Sequence, residues 1–232
     1  MARKHTRRDF LRQTTATGAV LLAGRRVFCR ERSPNQRVVY ACIGVGGKGD
    51  SDSSDAANHG EVIAICDVDS NRLRRRKVDD RFKDAKTFVD YREMLDQLGD
   101  KIDAVTVSTP DHHHYLASAL ALKRGIACFT QKPLTHSVWE ARELARLARE
   151  GDIPTQMGNQ GTANSTLRTS AAILRSGLLG AVKEVHVSTN RPVWPQGGPR
   201  PAPSEPPPNL AWDCWLGPAP ERPYAADAYH DF

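Results

Sequence analysis

The chain has 232 residues, 39% hydrophobic and 26% charged, with 17 Gly and 15 Pro, a composition that suits one globular domain or one domain and part of another. It excludes collagen, coiled coil and wholesale disorder, and no stretch approaches the ~18 apolar residues of a membrane-spanning helix. The formal net charge of +6 is no nucleic-acid signal: residues 1–36 hold nine Arg and Lys against Asp9 and Glu31, so the rest of the chain is nearly neutral.

Residues 1–36 read as an address. Thr6-Arg7-Arg8-Asp9-Phe10-Leu11-Arg12 precedes a mild apolar run from Thr14 to Gly24, too short for a bilayer and in the charged-then-apolar order of a signal peptide. Paired arginines, then Phe-Leu and such a run, resemble a twin-arginine (Tat) export signal. The resemblance implies a protein that folds and takes up its cofactor before export to the periplasm; the plain alternative is a disordered basic tail. The five cysteines, Cys29, Cys42, Cys66, Cys128 and Cys214, form no CxxC pair. Cys42, Cys66 and Cys128 sit in apolar, strand-like runs and read as small buried hydrophobes, with no disulfide framework or zinc site.

Arg37–Ile43 (RVVYACI) is predicted to be a buried strand. It runs into Gly44-Val45-Gly46-Gly47-Lys48-Gly49, which fits G-x-G-x-x-G at Gly44, Gly46 and Gly49. The first glycine allows a tight turn, the second lets backbone amides approach a pyrophosphate, and the third lets helix and strand pack closely, with the helix N-terminus facing the anion. A second strand, Glu61–Cys66, ends at Asp67, 23 residues after Gly44. A carboxylate there accepts hydrogen bonds from a ribose diol and repels a 2′-phosphate, so NAD is expected over NADP. Arg72, Arg74, Arg75 and Arg76 keep NADP open, or simply form a solvated helix face. Asp50, Asp52 and Asp55 crowd the expected first helix, and Asp50 should weaken pyrophosphate binding unless it points away.

Next come a helix over Tyr91–Leu98, a strand over Ile102–Ser108, and a helix over His112–Arg124, N-capped by Asp111 and stopped at Gly125. A strand over Ile126–Thr130, a helix over Ser137–Glu150 and a strand over Ile153–Met157 follow. The alternation is that of an α/β, doubly wound Rossmann sheet, whose ligands bind at the carboxyl ends of the strands.

GVGGKG, CDVD, STPDHHH and QKPL, in that order, resemble the Gfo/Idh/MocA family, named for glucose–fructose oxidoreductase and inositol dehydrogenase. Gly158-Asn159-Gln160-Gly161 and Trp212-Asp213-Cys214-Trp215-Leu216-Gly217-Pro218 resemble its Tat-exported branch. The resemblance covers residues 37–232. It implies that Gly44, Gly46, Gly47, Lys48 and Gly49 hold the pyrophosphate and Asp67 the ribose. Thr109, Pro110, His112 and His114 would line the cofactor channel, His114 towards the nicotinamide, with Gln131 and Gln160 also cofactor-binding. Lys132 would be catalytic, its ammonium hydrogen-bonded to the substrate hydroxyl and stabilising alkoxide character; the bland alternative is an exposed loop lysine. The family has Glu before this lysine, whereas Gln131 stands here, removing one negative charge. His112, His113 and His114 share no helix face well, and no metal is expected.

The resemblance also implies a second α/β domain with a mostly antiparallel sheet that dimerises and roofs the active site. Leu167–Leu178 is predicted to be a helix and Val182–Thr189 the first strand of that sheet. Arg191–Pro208, with eight of the 15 prolines, reads as a polyproline-like excursion. Trp194, Trp212 and Trp215 either cover a sugar face or anchor this loop, and anchoring is expected. The expected plan is a signal segment over 1–36, an NAD-binding domain over 37–157 and the incomplete start of a substrate and dimerisation domain over 158–232, as in a fragment or truncated product. The expected function is an exported NAD-dependent oxidoreductase with tightly bound cofactor, acting on a sugar or cyclitol hydroxyl, homo-oligomeric at full length and without a nucleic-acid partner. Two alternatives stay open: an NAD-dependent glycoside hydrolase working through transient oxidation, and a non-catalytic nucleotide- or sugar-binding protein.

Overall fold

The structure is a computed structural model that describes residues 37–190, 198–199, 201–226 and 228. The export-signal reading of residues 1–36, with Cys29, and the reading of Trp194 lie outside the described residues. Six strands, β1 (Val38–Ile43), β2 (Gly60–Cys66), β3 (Lys86–Phe88), β4 (Ala104–Val107), β5 (Ala127–Gln131) and β6 (Thr155–Gly158), form one sheet in the order β3-β2-β1-β4-β5-β6. Every pairing is parallel. The chain winds outward through β2 and β3 and then crosses back to β4, so the order reverses between β1 and β4, where an open parallel sheet leaves its crevice. Ile43 pairs with Cys66 on one side and Val107 on the other. The loops that begin at Gly44, Asp67 and Ser108 therefore leave the sheet side by side.

Helices α1 (Lys48–His59), α2 (Ser70–Arg76), α3 (Tyr91–Leu98), α4 (Asp111–Leu122) and α5 (Val138–Gly151) follow the strands. On one face Ile43, Cys66, Val105 and Val107 pack with Met94, Leu95, Ala117 and Leu122. On the other Cys42 and Ile65 pack with Val45, Ala56, Leu73 and Phe82. Strands buried on both faces read as continuous apolar runs, which is why VVYACI and EVIAIC are so plain in the sequence. Burial pushes the Cys42 thiol up to about 11 and Cys128 to about 12, as befits cysteines that act as hydrophobes. Asp69, Asp90 and Ser137 cap α2, α3 and α5 with their side chains.

Two expectations are corrected. Asp111 is not the N-cap of α4; Pro110 holds that position without a side-chain bond, and Asp111 begins the first turn, where a carboxylate suits the helix dipole. Val182–Thr189 forms no strand, and Val182, Val185 and Val187 stand exposed. Its alternating pattern describes a half-buried strand, but such a strand needs a neighbour to pair with, and none is present among the described residues. The helix expected over Leu167–Leu178 appears as α7 (Ser165–Arg175), after the short α6 (Gln160–Ala163), and α7 buries no side chain. A second sheet is not evident among the described residues.

Candidate functional site

The glycine loop is set by close approaches. Gly44 has φ 79°, its N–H donates to the Cys66 carbonyl at 2.8 Å, and a Cβ on it would meet the Ser108 carbonyl oxygen at 2.5 Å. A Cβ on Gly49 would lie 2.1 Å from the Gly44 oxygen, so only glycine lets α1 start this close to β1. Gly47 caps α1 without a side-chain bond, which leaves the helix N-terminus to an anion. Asp50 does point away: its Oδ1 pairs with Arg76 Nη1 at 2.8 Å on the outer side of α1.

Asp67 is buried at the end of β2. Its Oδ2 accepts from the Val45 N–H at 2.9 Å and its Oδ1 from the Asp69 N–H at 3.0 Å. Burial nevertheless raises its carboxyl above the ordinary range, against the pull of those two donors and of Arg72. Each oxygen keeps a lone pair for a further donor. Across the crevice, the buried Thr109 Oγ1 has no hydrogen-bond partner. An uncapped helix start, a glycine-rich loop, a buried acid and an orphaned hydroxyl fit the phosphate and ribose oxygens of a dinucleotide.

A polar cluster joins the other sequence-predicted residues, and its centre, Asp52, was seen in the sequence only as part of an acidic crowd. Asp52 Oδ1 pairs with Lys48 Nζ at 2.5 Å, while Oδ2 accepts from Ser108 Oγ at 2.7 Å and Gln131 Nε2 at 2.8 Å. Gln131 Oε1 accepts from the Lys132 N–H at 3.2 Å. With its amide oriented to satisfy its neighbours, Gln160 accepts from Gln131 Nε2 at 2.6 Å and Lys48 Nζ at 3.3 Å, and donates to the Gly158 carbonyl at 2.6 Å. Lys132 itself is exposed at the end of β5. The buried His114 ring is a strut: Nδ1 lies 2.6 Å from the Pro133 carbonyl and Nε2 2.8 Å from that of Thr109. It ties the Lys132–Pro133 turn to the loop after β4.

The remaining site residues meet a segment the sequence did not place. Residues 204–226, with the short α8 (Trp212–Leu216), return to the carboxyl edge of the sheet. His112 Nε2 and His113 Nε2 lie 2.9 Å and 3.0 Å from the Trp215 carbonyl. Burial, with His112 alongside, lowers His113 to about 4. Trp212 and Trp215 stack at 5.0 Å, and Trp212 Nε1 donates to the Arg222 carbonyl at 2.9 Å, contacts that knit the segment to itself, while the Trp215 ring also packs 5.2 Å from that of His112. Beneath it is a cavity of ≈ 570 Å³ bordered by Gly44, Asp67, Thr109 and Pro110. Lys132 does not line it. Among the described residues no group of three or more His, Cys, Asp or Glu is placed to hold a metal ion, and no helix is long and apolar enough to cross a membrane.

A parallel sheet whose order reverses beside a glycine loop, with an acid closing the second strand, defines a dinucleotide-binding α/β domain. The profile of the Gfo/Idh/MocA family, described as "Oxidoreductase family, NAD-binding Rossmann fold", matches residues 38–158, and the chain belongs to that family. It is 26% identical over 120 residues to a D-apiose dehydrogenase of Paraburkholderia graminis, covering 52% of this chain and 31% of that protein. It is 30% identical over 92 residues to a D-xylose 1-dehydrogenase (NADP(+)) of Hypocrea jecorina, covering 38% of this chain and 23% of that one. Among solved structures, the myo-inositol 2-dehydrogenase of Lactobacillus plantarum aligns with a TM-score of 0.57 at 25% identity, over 62% of this chain and 43% of that one. The chain thus spans less than half the length of the relatives it matches.

Proposed function

We propose that this protein is an exported, NAD-dependent oxidoreductase acting on a sugar or cyclitol hydroxyl. The observation that carries the reading is Asp67, a buried carboxylate beside an uncapped glycine loop, both oxygens held by backbone donors and still able to accept from a ribose diol. Bound NAD supplies an acceptor for the hydride of the substrate carbon. The chain's own residues do the rest. Gly46, Gly47 and the start of α1 receive the pyrophosphate, and Asp67 orients the ribose and disfavours a 2′-phosphate. Thr109 lends its orphaned hydroxyl. Lys132 hydrogen-bonds the substrate oxygen through its ammonium and stabilises alkoxide character there as the hydride leaves. Asp52, through Gln131, and His114, through Pro133, hold the backbone on either side of Lys132. A sugar or cyclitol is supported by the dehydrogenases of D-apiose, D-xylose and myo-inositol among the similar proteins.

The test is to denature the purified protein and identify the released nucleotide by mass spectrometry, with titration of added NAD where none is released. NAD(H) is the expected result. NADP(H) would overturn the role given to Asp67, and failure to bind either dinucleotide would overturn the reading. With substrate, release of an aglycone without net NADH would assign the hydrolase alternative instead. Export rests on Arg7 and Arg8: an Arg7→Lys, Arg8→Lys double variant is expected to stay in the cytoplasm when the full precursor is expressed, and unchanged export removes the signal reading.

A further inference from the structure

The segment 204–226 has no part in the binding scheme above, yet it is fastened to both sides of the crevice. On the β2 side the Ser70 N–H donates to the Asn209 carbonyl and the Ala211 N–H to the Val68 carbonyl, both at 2.9 Å. Asn209 Nδ2 donates to Asp69 Oδ1 at 2.8 Å, and Asp69 and Leu210 form an antiparallel bridge. On the β4 side the Trp215 carbonyl is held by His112 and His113 in the first turn of α4. Contact there is so close that a Cβ on Gly217, whose φ is 50°, would fall 2.1 Å from His113 Cε1. The segment is also knitted to itself: Ser204 N–H donates to the Tyr224 carbonyl at 2.8 Å, and Ser204 Oγ accepts from the Ala226 N–H at 3.0 Å.

A strap pinned to the loops after β2 and β4 spans the place where the sheet order reverses. Under it lies the cavity of ≈ 570 Å³, floored by Asp67, Thr109 and Leu116 and roofed by Leu210, Trp212 and Trp215. That volume is in the range of small-molecule sites. Asp67 fixes where a ribose belongs in it, and because Lys132 lies outside, the chamber belongs to the adenosine half of a dinucleotide and not to its reacting end. Its walls suit a purine: Leu210, Trp212 and Trp215 on one side and Leu116 on the other.

We propose that residues 207–224 are the roof of an adenosine chamber, so that the cofactor leaves only when the strap lifts. This rests on the NAD reading above. A closed roof acts mainly on dissociation, since differences among related complexes fall mostly in the off-rate. It gives an exported protein a structural reason to keep its nucleotide.

The test uses the full chain and two ligands, NAD and ADP-ribose, the second lacking nicotinamide. Asn209→Ala cuts the fastening on the β2 side, and Gly217→Val forces the strap off His113. Off-rates are read by stopped-flow displacement, and strap opening by the rate at which N-ethylmaleimide labels Cys214, a lining residue. In the unaltered protein, ADP-ribose alone should slow Cys214 labelling. In both variants NAD and ADP-ribose should dissociate faster by about tenfold or more, with melting of the sheet domain little changed. Three results overturn the roof: off-rates within about twofold of the parent while Cys214 labelling shows the strap open, a change for NAD but not ADP-ribose, or no protection of Cys214 by ADP-ribose. If the unaltered protein binds neither ligand, the cofactor reading itself falls and the roof falls with it.

Discussion

At position 131, where the family resemblance implies a carboxylate, an amide stands, and it is hydrogen-bonded to a carboxylate from another element. Asp52, on α1, lies one hydrogen bond from Gln131 across 79 residues of sequence. It faces Lys48 with its other oxygen, so the carboxylate beside the end of β5 is supplied by the helix. Gln131→Glu would set two carboxylates in contact, and one would be forced to take a proton or move. Asp52→Asn would remove the carboxylate that Lys48 faces and cost roughly 0.2–1 kcal/mol, since that ammonium is half exposed and keeps Ser51 Oγ as a partner. The double variant Asp52→Asn, Gln131→Glu restores a single carboxylate. It is expected to recover most of the stability that the Gln131→Glu variant loses, a coupling that denaturant unfolding of all four proteins measures. Additive losses would show that the two positions do not share a charge. A single sequence displays both residues but not their contact. Spacing reveals partners along one helix or across one turn, and this pair is joined only by the packing of α1 against the ends of β4 and β5.

Elements were legible where burial alone decides them. β1, β2 and the α3 helix over Tyr91–Leu98 follow the sequence reading within a residue, because their apolar runs are long and their ends are marked by Gly or Asp. The three-residue β3 carries too few side chains to declare itself. The segment 204–226 was legible as prolines and as the Trp212–Pro218 motif but not in its position, because that is set by single contacts with Val68, Ser70 and two histidines far away in sequence. That junction carries a pH dependence. His113 sits near 4 in the folded protein against about 6.5 when exposed, so the folded state binds fewer protons than the unfolded state between those values. Stability from this group is therefore complete above about pH 6.5 and is lost as pH falls towards 4, by on the order of 3 kcal/mol. The groups that face it are His112 and His114 on α4, Tyr91 and Asp90 at α3, and Cys214 and Trp215 on the strap. Asp90 pulls the opposite way to the two histidines without outweighing burial. His113→Gln should flatten the fall in melting temperature between pH 6.5 and 4.5, and an unchanged slope would assign that fall to other groups.

Over the whole molecule, stability is distributed unevenly along the chain. Residues 38–158 carry the six-stranded sheet and both core clusters. From α7 onward the apolar side chains Leu167, Leu174, Leu179, Val185 and Val187 face outward. Of the sequence reading of that stretch, the helix is present and the strand is not, because a pattern specifies a face and not what covers it. Amides of the central strands can exchange with solvent only by opening the core, whereas those of 182–190 belong to no helix or strand. Hydrogen exchange followed by mass spectrometry should therefore resolve three classes in the isolated chain. Peptides from β1, β4 and β5 are expected to exchange slowest and together, and 182–190 within seconds. Peptides from 207–224 should lie between, because the strap is held to the sheet domain by a few hydrogen bonds at Asn209, Ala211 and Trp215 and can lift without unfolding the sheet. Adding NAD should slow the glycine loop and 207–224 in parallel while leaving 182–190 fast. Strong protection of 182–190 in the isolated chain would mean that its valines do find a strand partner. Exchange of 207–224 as slow as the sheet core would mean that the strap is part of the sheet domain's single cooperative unit and does not open on its own.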